Sequence, residues 1–314
     1  MNEPEEDNTK GQVTFNKSIE KRSSHPRNTK KVEENIGKDR FEIPTDREKG
    51  FPLLQIISEY YNFDDLIVKD EIKQRLETLI SENKMPDRLL QYGLKPKQKV
   101  LFCGPPGTGK TLTAKVISSV MGFPLVHVRF DSIVSSYLGE TASNLRRIFN
   151  FIEKGRWVVL FDEFDIVGKK RDDPHEHGEV KRVVNNFMQM LDGFQGQSII
   201  IAATNHEYLL DTAIWRRFDD VIFFGLPDKE SRELLFKKYL RVLKKSPDVS
   251  IAEFSGETEG FSGADVAQVC NEALRRSLLR GREEVKRDDV LWAIALQKRR
   301  MELIAKGTSA NGKT

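Results

Sequence analysis

Residues 99–111 read Lys-Val-Leu-Phe-Cys-Gly-Pro-Pro-Gly-Thr-Gly-Lys-Thr, a short apolar run followed by a glycine-rich turn. From Gly104 onward the segment fits the pattern G-x-x-x-x-G-K-[ST], which predicts a strand, a phosphate-binding loop and a helix in succession. The glycines let the backbone curl until successive N–H groups point inward, and the following helix adds the positive end of its dipole. Lys110 can reach the β- and γ-phosphate oxygens, and the Thr111 hydroxyl can bind Mg²⁺. The predicted phosphate-binding residues are Gly104, Pro105, Pro106, Gly107, Thr108, Gly109, Lys110 and Thr111.

A second segment supplies the carboxylates that such a site requires. Residues 157–163 read Trp-Val-Val-Leu-Phe-Asp-Glu, which predicts a buried strand that ends in Asp162 and Glu163. Asp162 can hold Mg²⁺ there, and Glu163 is placed to polarise an attacking water. A third apolar run, Ser198–Ala203, precedes Asn205, whose amide can orient that water or touch the γ-phosphate. This order of motifs predicts a nucleotide-hydrolysing site.

The whole central part of the chain alternates strand and helix signals. Continuous apolar runs separated by stretches long enough for a helix indicate a parallel sheet covered on both faces. We therefore predict an α/β fold with a five-stranded parallel sheet. Its strands are predicted at Lys99–Cys103, Pro124–Phe130, Trp157–Phe161, Ser198–Ala203 and Asp220–Phe224. A small helical lid is predicted to follow, with helices at Lys229–Leu243, Gly263–Arg280 and Lys286–Ala305.

Composition sets the boundaries around this core. Residues 1–50 contain eleven Lys/Arg and eleven Asp/Glu with few large apolar side chains, which predicts a disordered tail. We predict the α/β domain at 51–226, the helical lid at 227–306 and a second disordered tail at 307–314. The net charge of +3 argues against a dedicated nucleic-acid binder, and two distant cysteines argue against a disulfide framework or a zinc ribbon. The polar N-terminus and the absence of long apolar runs favour a cytoplasmic protein.

Taken in order, these motifs resemble those of AAA ATPases of the AAA+ superfamily, from about Phe63 to Gln297. Phe63-Asp64-Asp65 resembles the family's segment near the adenine, although Ile67-Val68 replaces the usual glycines. The resemblance implies ATP and Mg²⁺ as cofactors, with Thr111 and Asp162 as metal ligands and Leu112 also at the nucleotide. Gly260–Asp265 resembles the lid motif, which places Gly263 and Ala264 against the adenosine.

Residues 210–219 resemble the region whose arginines reach the neighbouring subunit's nucleotide site. Arg216 and Arg217 are adjacent, as in the microtubule-severing and membrane-remodelling clade. Arg217, just before Phe218, is the stronger candidate for a catalytic arginine. The resemblance thus implies a homo-oligomer, a hexameric ring in most of the family.

A loop after the second predicted strand resembles the family's pore loop. It contains Tyr137, Leu138 and Gly139, and an aromatic–aliphatic–glycine loop at this position grips an extended polypeptide in related rings. The alternative is that Tyr137 is an ordinary loop aromatic that covers apolar surface. The pore role predicts a protein substrate.

Three functions remain open at this point. The first is a ring motor that remodels, unfolds or threads proteins, with an adaptor or a subtilisin-like partner protease. The second is a nucleic-acid-associated switch or loader, for which the basic run Arg275–Arg300 is the support; a solvated helix face is the alternative account of that run. The third is a scaffold that uses nucleotide for assembly. Tyr137, Leu138 and Gly139 favour the first, and no membrane partner is expected.

Overall fold

The computed structural model describes residues 42–46, 50–129, 133, 140–164, 174–206 and 212–311. An α/β part is followed by a helical part. The α/β part contains, in chain order, β1 (Gln55–Ile57), α1 (Asp70–Lys84), α2 (Pro86–Leu90), β2 (Lys99–Cys103), α3 (Lys110–Met121), β3 (Leu125–Arg129), α4 (Glu140–Ile152), β4 (Val158–Asp162), α5 (Pro174–Gly193), β5 (Ile199–Thr204), α6 (Thr212–Trp215) and β6 (Asp220–Phe223). No helix among these described residues is both long and apolar enough to cross a membrane.

One central sheet organises the α/β part, with strand order β1-β3-β4-β5-β2-β6. Strands β2 to β6 are parallel, which confirms the predicted five-stranded parallel sheet. All six residues of β5 are buried because helices cover both faces. Alternate side chains of β4 enter opposite cores: Val159 and Phe161 pack on one face, and Val158 and Leu160 on the other.

The sheet also has a sixth strand that the sequence analysis missed. β1 pairs antiparallel with β3, so that Gln55 lies opposite His127 and Ile57 opposite Leu125. A three-residue strand carries too little periodicity to be recognised, and this one is fixed by its position at the edge of the sheet. The correct description is therefore five parallel strands with one short antiparallel strand at the edge.

The chain begins to pack before residue 51, which corrects the expectation of disorder for 42–46 and 50. Asp46 is buried, and its carboxylate accepts a hydrogen bond from Asn144 Nδ2 at 2.8 Å. Arg147 donates to the Thr45 carbonyl at 2.6 Å, and Thr45 also bridges to Pro52. This segment is therefore held on α4. The rest of the predicted N-terminal tail, 1–41 and 47–49, lies outside the described residues.

The helical part has four helices, so the prediction of three was wrong. They are α7 (Lys229–Tyr239), α8 (Ile251–Glu257), α9 (Gly263–Leu279) and α10 (Arg287–Asn311), with a short parallel pair β7 (Lys244–Lys245) and β8 (Glu284–Val285). The missed helix α8 carries a local signal, since the Ser250 side chain caps it by accepting the Glu253 N–H. The last helix runs to Asn311, past residue 306 where we expected the lid to end.

A buried carboxylate of α10 pairs with arginines of α9 and of the loop between the two helices. Asp289 is 1% exposed and accepts two hydrogen bonds from Arg282 Nη2, each of 2.9 Å. Arg276 Nε lies 3.4 Å from the same carboxylate, and its guanidinium stacks over the Trp292 ring at 4.3 Å. The carboxylate therefore neutralises cations that lie between α9 and α10.

Asp289→Ala should lower the free energy of unfolding by about 3 kcal/mol, because it leaves partly buried arginines unpaired. Urea denaturation measures the change. The matched control is Glu257→Ala, which removes the exposed partner of Lys298 and should change stability little. Equal losses in the two variants would contradict the structural role assigned to Asp289.

Candidate functional site

The turn after β2 can be formed only by glycine at its critical positions. Gly104, Gly107 and Gly109 have φ angles of +132°, +77° and +103°. A Cβ atom on Gly104 would lie 2.1 Å from the Phe224 carbonyl oxygen, so the turn also packs too tightly against the end of β6 for any side chain. The loop is therefore fixed by backbone geometry before any ligand is considered.

Lys110 begins α3 and points its side chain back into this loop. Its side chain is buried, and Nζ donates to the carbonyl oxygens of Gly104 at 2.6 Å and Pro105 at 2.9 Å. The N-terminus of α3 opens at the same place. The loop, the ammonium and the helix dipole together form a site suited to an anion.

Thr111 and Asp162 bring two oxygen ligands together beside the loop. The Thr111 hydroxyl donates to Asp162 Oδ2 at 3.1 Å, and the Glu163 N–H donates to Oδ1 at 3.0 Å. Burial raises the pKa of Asp162, but the His127 imidazole and these two donors outweigh it and hold the pKa below its usual value. Because a hydroxyl and an ionised carboxylate are hard oxygen donors, the pair fits Mg²⁺.

Glu163 has a strained backbone. Its φ of +58° makes it the single non-glycine residue in the left-handed region among the described residues. Such strain at the end of a strand is typical of functional positions, where the surrounding fold holds it. Glu163 lines the same cleft as Asn205, which follows β5 on the neighbouring strand.

The lid reaches the phosphate loop directly. The Ala264 N–H donates to the Gly107 carbonyl oxygen at 3.0 Å. A Cβ on Gly107 would lie 2.6 Å from Ser262 Oγ, so the two segments touch without room for a side chain. Ser262 and Asp265 cap α9 reciprocally, which fixes the lid segment that makes this contact.

Between loop and lid lies a cleft of about 680 Å³, a size typical of small-molecule sites. Of the predicted phosphate and lid residues, it is lined by Pro106, Gly107, Thr108, Gly109, Lys110, Thr111, Leu112, Asp162, Gly263 and Ala264. Gly104 and Pro105 form the turn behind it. Its wall also includes Leu66, Ile67, Val68 and Tyr239, together with the charged Asp65, Lys69, Glu71 and Arg75. The sequence analysis did not assign this wall, although the resemblance of Phe63–Asp65 pointed to its vicinity.

The predicted catalytic arginines are not part of this cleft. Arg216 and Arg217 are exposed and do not line it; Arg217 instead pairs with Asp192 at the end of α5. The pore-loop candidates Tyr137, Leu138 and Gly139 lie outside the described residues.

The glycine loop, the paired Thr111 and Asp162, and a helical lid on the loop define a P-loop ATPase of the α/β class. Residues 100–226 match the ATPase family associated with various cellular activities (AAA), and residues 248–292 match the AAA+ lid domain. An uncharacterized AAA family ATPase of Sinorhizobium fredii is 38% identical over 81% of this chain and 76% of its own length. The chain belongs to the AAA family of ATPases.

Two further relatives are longer proteins. The ATP-dependent zinc metalloprotease FtsH 3 of Symbiobacterium thermophilum is 34% identical over 82% of this chain and 41% of its own length. The proteasome-activating nucleotidase of Methanoregula boonei is 35% identical over 78% of this chain and 58% of its own length. The chain therefore spans roughly half the length of these two relatives.

Lys110→Ala should abolish ATP binding, because it removes the buried ammonium of the loop. Glu163→Gln should still bind ATP but hydrolyse it very slowly, since glutamine keeps the shape and loses the basic carboxylate. Fluorescent-nucleotide binding and phosphate release measure the two effects. Rapid turnover by Glu163→Gln would remove Glu163 from the reaction.

Proposed function

We propose that this chain hydrolyses Mg²⁺-ATP in the cleft under the lid and uses that energy, as a homo-oligomeric ring, to remodel, unfold or thread proteins. The observation that carries the ATPase part is the Thr111–Asp162 hydrogen bond beside Lys110 and Glu163. A phosphate site, a pair of metal ligands and a base candidate lie in one cleft. The proposed boundary between the catalytic domain and the lid lies at residues 226 and 227.

Each side chain of the cleft has a distinct task in this proposal. The loop N–H groups and Lys110 bind the phosphates, and Thr111 and Asp162 hold Mg²⁺, which neutralises phosphate charge when bound. Glu163 orients the attacking water and accepts its proton, and Asn205 helps to position that water. The part of the wall that contains Leu66 and Tyr239 receives the adenine.

A ring is supported by the positions of the arginines: Arg75, which lines this cleft, is held by Asp220 and the Val221 carbonyl oxygen. Charge that develops on the transferred phosphoryl group is commonly stabilised by an arginine, which can be supplied by a second subunit. Arg216 and Arg217 are exposed and outside their own cleft, as a contribution in trans requires. The resemblance to AAA rings, most of which are hexamers, supports the same arrangement.

A protein substrate is supported by the relatives and by the pore-loop motif. One relative is named an ATP-dependent metalloprotease, and another is named a proteasome-activating nucleotidase. Tyr137, Leu138 and Gly139 fit a loop that grips polypeptide, and a partner protease, subtilisin-like in kind, or an adaptor would then receive or deliver the substrate. The proposed location is the cytoplasm.

The nucleic-acid alternative receives less support from the lid. Six of the nine Lys and Arg residues between 275 and 300 lie within 4 Å of a lid carboxylate. The paired residues are Arg275, Arg276, Arg280, Arg282, Arg287 and Lys298. Cations neutralised by their own domain contribute less to phosphate binding than free ones. The scaffold alternative predicts slow hydrolysis that protein substrates do not stimulate.

Arg217→Ala should bind ATP and form rings but hydrolyse ATP about 10³-fold more slowly, the lower end of the range for an arginine finger. Mixing it with Lys110→Ala should restore activity. In mixed rings, the intact arginines of Lys110→Ala subunits would reach the intact clefts of Arg217→Ala subunits. Phosphate release from each variant and from the mixture measures this. Undiminished hydrolysis by assembled Arg217→Ala rings would contradict the assignment.

Tyr137→Ala should keep basal ATP hydrolysis and lose stimulation by an unfolded protein, because only the grip on the substrate is removed. Tyr137→Phe is the matched control and should keep stimulation, since it retains the aromatic ring. Hydrolysis is compared with and without a permanently unfolded test protein. Normal stimulation of the alanine variant would argue against threading.

A further inference from the structure

One polar side chain interrupts the apolar strand β3. His127 lies between Val126 and Val128, whose side chains enter the opposite core, so His127 faces the side of the sheet on which α3 packs. Its Nε2 atom is fully buried and has no hydrogen-bond partner among the described residues. It lies 3.5 Å from Asp162 Oδ2 on the adjacent strand. A buried ring nitrogen without a partner calls for an explanation.

The position of His127 Nε2 beside Asp162 supplies this explanation. A carboxylate offers about four lone-pair sites, and Asp162 uses one on each oxygen for Thr111 and the Glu163 N–H. An approach of about 0.5 Å would bring His127 Nε2 to the usual hydrogen-bond length on Oδ2. In the tautomer that carries its hydrogen on Nε2, His127 would be a third donor to the Asp162 carboxylate, beside the Thr111 hydroxyl and the Glu163 N–H. The orientation of the carboxylate toward the Thr111 hydroxyl would be fixed.

We propose that His127 is a positioning residue for the metal-binding carboxylate: its Nε2–H holds Asp162 in the orientation that, together with Thr111, binds the nucleotide's Mg²⁺. The inference rests on the proposed Mg²⁺ site. His127 is not among the residues that line the cleft, and it acts through Asp162. Partners of this kind hold a ligand in place, and their loss typically lowers metal affinity 10- to 100-fold.

Three substitutions separate this role from simple packing. Gln carries an amide nitrogen at the depth of His Nε2, whereas the Asn nitrogen reaches only the depth of Nδ1, and Ala carries none. The measurement is the affinity of the ADP-loaded protein for Mn²⁺, a stand-in for Mg²⁺ that is followed by electron paramagnetic resonance. ADP binding in EDTA, followed by fluorescence, reports on the loop without metal.

His127→Ala and His127→Asn should bind Mn²⁺ about tenfold more weakly, and His127→Gln should bind it like wild type. ADP binding in EDTA should be the same in all four proteins. If the alanine variant fails to fold, the Gln and Asn variants, which both keep a polar side chain, decide the question.

Equal Mn²⁺ affinity in the Gln and Asn variants would overturn the inference. So would a matching loss of ADP binding in EDTA, since that would indicate a packing defect. An ADP-loaded wild-type protein that binds no Mn²⁺ would instead overturn the proposed metal site itself.

Discussion

The register of the parallel strands is the constraint on which the rest of this structure depends. Cys103 of β2 lies opposite Thr204 of β5, and Phe161 of β4 lies opposite Ala202. The strands therefore end at one edge of the sheet, and the polar residues that follow them meet there. A slip of one residue in β4 would exchange its two faces, so that Phe161 would leave its core and Asp162 would turn away from Thr111. Catalytic geometry and core packing are thus specified by the same pairing.

This arrangement places three energetically unfavourable features close together at the sheet edge. Lys110 is buried at the opening of α3, Asp162 is held ionised despite its burial, and Glu163 sits at a positive φ. None of these would persist in a loosely packed protein. They are tolerated because the sheet edge is supported by cores on both of its faces, in which β4 and β5 are almost entirely buried.

The part of the molecule that the sequence predicts well is the part governed by local signals. Long apolar runs predicted the five parallel strands to within a residue or two, and the glycine pattern predicted the loop before Lys110.

Strand β1 and the segment around Asp46 were not predicted because their partners, β3 and Asn144, are distant in the chain. Helix α8 was also missed, although the Ser250 N-cap is a helix-start signal that the sequence contains. The role proposed for His127 could not be predicted from the sequence, since it depends on Asp162 of the adjacent strand and a histidine within a strand is not itself a functional signal.

The contact between lid and loop has a mechanical consequence. It is made by the first turn of α9, where the Ala264 N–H meets the Gly107 carbonyl, while the helix continues to Leu279. Seventeen residues at 1.5 Å each give a helix of roughly 25 Å that contacts the loop at one end. A tilt of about 10° at that contact would displace the far end by roughly 4 Å. Because α7, α9 and α10 share one core, the lid would move with α9, and its displacement would grow with distance from the phosphate loop.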